Sequence, residues 1–152
     1  MEWTDFEKRF LDHMTPDDKD YRSKTYEAFR RIVPKLPDAA FPSGLCIHAP
    51  SILDSGEVWS MENLQMVVYF APHIEQYPQA RVDFVVAHEF AHVVRGSASR
   101  PTDTLEQERQ DEEETDSLAE SWGIAKPPAC KQCGQFYPAR SGWPNPDVSA
   151  GQ

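Results

Sequence analysis

The chain lacks any apolar stretch approaching the ~20 residues of a membrane span, and its opening, MEWTDFEKRF, has acids where a signal peptide would carry a basic region followed by an apolar core. These absences predict a soluble, cytoplasmic protein with no membrane partner. It also lacks a cationic excess: net charge is -10, and nine acids lie between Asp103 and Glu120 against a single base, Arg109. That balance argues against nonspecific binding to nucleic acid, which needs a cationic face to displace counterions from phosphate. There is no internal repeat and no long low-complexity tract. Cysteine is scarce, with three residues, and a cytoplasmic setting disfavours a structural disulfide. A chain of 152 residues buries a sizeable core without one. Thirteen prolines and a mean hydropathy of -0.63 describe a loop-rich but globular single domain.

Residues 84 to 94 read FVVAHEFAHVV, a helix-length apolar run broken only by His88, Glu89 and His92 in the pattern H-E-x-x-H. Positions i and i+4 share a helix face one turn apart, so the two imidazoles converge on a single ion. Glu89 lies about 100° around from His88, close enough to reach a metal-bound water as a general base. The run is apolar on nearly every side, which predicts a buried helix. The bland alternative makes both histidines core residues bonded to backbone, with the short motif arising by chance.

A catalytic zinc ion usually takes three protein ligands, and no histidine follows His92. Ala98 stands where the longer metzincin pattern would place its third ligand, which excludes that arrangement. Twenty residues after His92 begins EEETDSLAESWG, which reads as a second helix with Thr115, Leu118, Ala119 and Trp122 on one face. Glu112 borders that face and Glu113 points away. Glu108 and Glu114 remain open as ligands behind Glu112. Asp116, one turn after Glu112, is placed to orient a ligand histidine.

These residues resemble the small gluzincin-type metallopeptidases, especially the ImmA/IrrE-like proteins. There H-E-x-x-H is followed some 20 to 30 residues later by Glu-x-Glu-Ala-Asn/Asp-x-Phe-Ala. Glu112, Glu114, Asp116 and Ala119 match, with Thr115 in place of Ala and Leu118 in place of Phe, and Pro127 and Pro128 lie shortly beyond. The resemblance covers roughly residues 64 to 128 and implies that Glu112 is the third zinc ligand and that the substrate is a specific regulatory protein such as a repressor. The helix-turn-helix domain that many of those chains carry is not seen here.

The expected architecture is α+β: a zincin-like domain over 1–124 and a Pro-rich appendage over 125–152. Helices are expected over 2–14 and 16–36, the latter opening with Thr15 as N-cap and Pro16 at the first helical position. This second helix holds the basic part of the molecule, which is expected to pair with the acidic downstream segment in this chain or a partner. GLCIHAP, EVWSM and LQMVVYFAP, after turn signals at Asp54-Ser55-Gly56 and Glu62-Asn63, read as two or three strands within 44–72. The active helix is expected over 80–95 and the ligand helix over 107–122. Zincins set an edge strand beside the metal, where a peptide adds as a further strand. LQMVVYFAP is the candidate for it, with a plain core strand as the equal alternative.

Cys130 and Cys133 form one C-x-x-C knuckle, half of a structural zinc site. Cys46 and His48 or a second subunit could complete it for a second ion. No metal at all, or a redox role, are the other readings. His13 and His73 read as surface or loop residues, although His73 could polarise a substrate carbonyl. Tyr69, His73, Tyr77, Arg95 and Arg109 are the candidates for steadying an oxyanion.

The function expected is that of a zinc-dependent endopeptidase: His88, His92 and Glu112 bind Zn²⁺, and Glu89 is the general base. The alternative is a zinc-binding regulatory protein that no longer cleaves anything. A third reading makes the C-terminal knuckle an interaction module.

Overall fold

The computed structural model describes residues 1–11, 23–42, 45–48, 56–60, 66–96 and 102–128, and the architecture over these residues is mixed α and β. Helix α1 spans Trp3–Phe6 and runs on as a π-helical turn, Glu7–Leu11. Helix α2 spans Ser23–Ile32, followed by a 3-10 turn, Val33–Lys35. The α-helix therefore stops before the expected 36. Pro34 explains the change, because proline donates no N–H and disfavours helical geometry in the residue before it. The expected start at Thr15 and Pro16, and His13, lie outside the described residues.

Three strands follow: β1 Cys46–His48, β2 Gly56–Ser60 and β3 Met66–Phe70, in the order β1-β3-β2. β1 pairs with β3 in parallel, with Ile47 opposite Val68, while β2 pairs antiparallel on the other side, with Val58 opposite Val68. This corrects the expectation for LQMVVYFAP: Met66–Phe70 is the central strand, both of its edges being taken, and β2 is the edge strand reached by α3. β3 alternates as a half-buried strand should, with Met66, Val68 and Phe70 buried and Val67 and Tyr69 half-buried. Gly56, expected in a turn, instead opens β2.

Helix α3, Gln79–Arg95, contains the apolar run and ends at Gly96, whose φ of 66° is the left-handed cap that glycine accepts without strain. Every residue from Arg81 to Ala91 is buried, so the helix is enclosed on all sides. Phe90 shows how. It stacks on Phe29 at 5.5 Å and meets Phe41 edge-on at 4.9 Å, with Phe6 and Phe70 at 6.0 and 5.9 Å. One side chain thus ties α1, α2, β3 and α3 together, and its loss would cost about 3–5 kcal/mol.

Polar contacts lock α2 to the start of α3. Arg31 Nη1 meets Asp83 Oδ2 at 2.6 Å, and Gln79 donates to both Lys24 O and Asp83 Oδ1 at 2.8 Å. Glu75 accepts from the backbone N–H groups of Lys24 and Thr25. Among the described residues, the basic segment therefore forms its ion pairs through Arg31, with Asp83 and its own Glu27, while the Lys24 ammonium donates to Tyr77 O. Helix α4, Leu105–Ser121, begins two residues earlier than expected because Thr104 and Gln107 form a capping box. It packs against α3 and ends in a turn at Gly123, φ 81°.

Candidate metal centre

The α3 helix sets His88 and His92 on one face, with ring centroids 4.5 Å apart and planes at 86°. Helix α4 turns Asp111, Glu112, Thr115 and Asp116 towards them, a spacing that keeps four polar residues on one side of a helix. Glu112 divides its carboxylate between the rings: Oε2 lies 3.2 Å from His88 Nε2, and Oε1 lies 3.4 Å from His92 Nε2. One ligand atom from each of His88, His92 and Glu112 falls within 4.8 Å of the others.

The donor set fits a zinc ion on two grounds. Two ligands each ~2.0–2.1 Å from a tetrahedral ion stand about 3.3 Å apart, matching both separations. Glu112 Oε2, moreover, is buried without a hydrogen-bond partner, despite its closeness to His88 Nε2. A buried carboxylate oxygen needs a partner, and an ion shared with the imidazoles supplies one.

The outer nitrogens of both rings are held from behind. His88 Nδ1 is 2.9 Å from Asp116 Oδ1. With a proton on Nδ1 donated to that carboxylate, Nε2 is the ring nitrogen left facing Glu112. His92 Nδ1 is 3.4 Å from Thr115 Oγ1, which donates to Asp111 O at 2.7 Å and accepts from Arg95 Nη1 at 2.6 Å. Arg95 also grips Asp111 Oδ1 at 2.7 Å and Glu114 Oε2 at 2.5 Å.

The same geometry sets the charges. Burial pushes the His88 imidazole towards neutrality, but the carboxylates of Asp116, Glu112 and Glu89 outweigh it and raise its pKa to about 10. Burial favours the neutral form of Glu112 as well, by raising its pKa, but the two rings facing it outweigh this and hold its carboxyl far below the usual range. His92 is lowered, by burial first and then by the charge of His88.

Glu89 is 4 % exposed and lies against the first residue of β2. A Cβ on Gly56 would fall 2.6 Å from Glu89 Cγ and 2.9 Å from Oε1, so glycine is what lets the strand approach this carboxylate.

The structure brings together His88, His92, Glu112 and Asp116, with Glu89 beside them. Glu114 turns to Arg95, and Glu113 lies on the outer face of α4 with Arg109. Of the oxyanion candidates, Arg95 is held behind His92, and Arg109 pairs with Glu106 and Glu113 on the exposed face. His73 and Tyr77 pack together at 5.7 Å, and the Arg81 guanidinium lies 4.0 Å over the Tyr77 ring. Burial, then Arg81, lowers the His73 pKa. Tyr69 is half-buried on β3. Cys130 and Cys133 lie outside the described residues, as do the side chains of Cys46 and His48.

One residue of the site escaped the sequence reading. Lys126 forms a buried ion pair with Asp116 Oδ2, the oxygen that His88 leaves free. The only sequence signal was a lysine near the proline pair.

No helix among the described residues is long and apolar enough to cross a membrane. No protein-family model, curated protein or solved structure matches the chain.

Proposed function

We propose that the protein is a zinc-dependent endopeptidase on a zincin-like scaffold, acting in the cytoplasm, with His88, His92 and Glu112 as the metal ligands. One observation carries the proposal: two imidazole nitrogens and a carboxylate converge in a buried site where Glu112 Oε2 has no hydrogen-bond partner. A zinc ion held there supplies Lewis acidity, polarising a peptide carbonyl and acidifying water. Glu89 takes the proton of the attacking water and passes it to the leaving amine. Asp116, and Thr115 with Asp111, keep the two imidazoles turned inwards. The substrate adds along the edge of β2 that is unpaired among the described residues, the strand whose first residue touches Glu89. By the gluzincin resemblance, the substrate is a specific regulatory protein. The test is peptide hydrolysis by zinc-loaded wild type and by Glu89→Gln, which keeps zinc and loses turnover by two or more orders of magnitude.

A second reading, a zinc-binding regulatory protein without cleavage, is favoured by the burial of Glu89 at 4 % exposure. In that case Glu89→Gln leaves the binding function untouched.

A further inference from the structure

The segment after α4 does more than finish the helix. Gly123, with φ 81°, reverses the chain; Ile124 enters the core at 7 % exposure; and residue 126 returns alongside the helix, ten positions after Asp116. Lys126 is 6 % exposed, an uncommon fate for lysine unless it is paired. Its ammonium reaches Asp116 Oδ2 while Asp116 Oδ1 holds His88 Nδ1, so the contacts run from Lys126 through Asp116 and His88 to Glu112.

We propose that Lys126 is a positioning residue of the metal centre: its buried ion pair fixes the Asp116 carboxylate, which in turn fixes the orientation of the His88 ring. This inference rests on the zinc reading of the site.

Two arguments support it. The first is the accounting of lone pairs. Asp116 is almost fully enclosed, with a side chain 6 % exposed, and each of its oxygens has one partner. Deleting the ammonium leaves Oδ2 buried without its cation, which strongly favours any rotation that restores a partner. Such a rotation releases His88 Nδ1. The second is charge. Glu89, Glu112 and Asp116 bring three carboxylates to the site, and the Lys126 ammonium reduces their total to two negative charges, the complement of a divalent cation. Asp111 is held in turn by Arg95, which also holds Glu114, so the acid behind each histidine is gripped by a base.

The experiment measures zinc affinity by competition with a chromogenic chelator for the full-length wild type, Lys126→Met, Lys126→Arg, Asp116→Asn and the Lys126→Met/Asp116→Asn pair, with far-UV circular dichroism confirming each fold. Lys126→Met weakens zinc binding about tenfold, the lower end of what lost outer contacts cost a metal site. Lys126→Arg restores most of that loss. With Asp116→Asn already present, Lys126→Met changes the affinity less than about twofold, because the carboxylate it acts through is gone. Should the methionine variant not fold, Lys126→Gln retains an N–H donor without the charge and loses affinity in the same direction. An affinity unchanged in the folded Met or Gln variant, or an equal loss with and without Asp116, overturns the proposal. A wild type that takes up no zinc, or keeps it after His92→Ala, defeats the metal-centre reading itself. Zinc bound through His92 but indifferent to Lys126 defeats only the role of the lysine.

Discussion

The first residue of the edge strand and the acid of the H-E-x-x-H motif are in contact: a Cβ built on Gly56 would stand 2.6 Å from Glu89 Cγ. Real side chains do not approach so closely, and the added atom would meet Glu89 from Cγ to the carboxylate, with Oε1 at 2.9 Å and Cδ at 3.0 Å. The backbone of Gly56 is not left-handed, so alanine is tolerated there conformationally. Gly56→Ala should therefore displace Glu89 while leaving the fold and the zinc ligands in place. Peptide turnover is expected to drop by tenfold or more at unchanged zinc stoichiometry, measured on one preparation.

Metal removal should destabilise the protein through this site alone. A ligand present at a hundred times its Kd adds about 2.7 kcal/mol to folding. Chelation is expected to lower the thermal midpoint of the wild type by several degrees and to leave that of Glu112→Ala unchanged. Scanning calorimetry with and without chelator reads both.

The pH dependence of the metal-stripped protein follows from three signs. Glu112 is depressed, so its contribution is present above its ordinary value of 4.5 and is lost as pH falls below it. His92 is lowered, so stability also falls as pH drops below 6.5, where the unfolded chain takes up a proton that the folded one refuses. His88 is raised to about 10, so its contribution is complete below 6.5 and disappears as pH rises towards 10. This site therefore favours folding most near pH 6.5. Denaturant midpoints between pH 4 and 10 should show that maximum in the stripped wild type, with the alkaline decline flattened in His88→Gln. Zinc must displace the proton of His88, so binding at pH 7.5 should release about one proton. Calorimetry in buffers of different ionisation enthalpy counts it.

The capping box offers a control remote from the chemistry. Gln107 N donates to Thr104 Oγ1 at 3.1 Å, and the Gln107 side chain accepts from the Thr104 backbone at 3.2 Å. Thr104→Ala should cost about 1 kcal/mol of stability and leave zinc affinity within twofold of wild type.

Much of the site was legible because helices repeat. The spacing that made His88 and His92 share a face also ranked Glu112 above Glu113 and put Asp116 behind a histidine, and the packed helices carry those faces to one place. The apolar run of α3 announced its own burial. Thr104 and Gln107 were readable too, as a capping box, but the acidic run drew the helix start two residues too late. The order of the strands was not legible: the pattern of Met66–Phe70 is that of a half-buried strand whether central or at an edge, and only tertiary pairing with β1 and β2 made it central. Gly56 carried a turn signal and serves as a close approach instead. Lys126 was hidden for a similar reason, since its partner lies ten residues away across the turn at Gly123, and no helical or strand period connects them.

Native mass spectrometry of the as-purified protein reads out whether His88, His92 and Glu112 hold one zinc ion. The wild type is expected to retain one zinc that both His92→Ala and Glu112→Ala lose while remaining folded. Zinc retained at full stoichiometry by those variants, or a folded wild type that takes up none when zinc is supplied, would rule out a metal centre at these three residues.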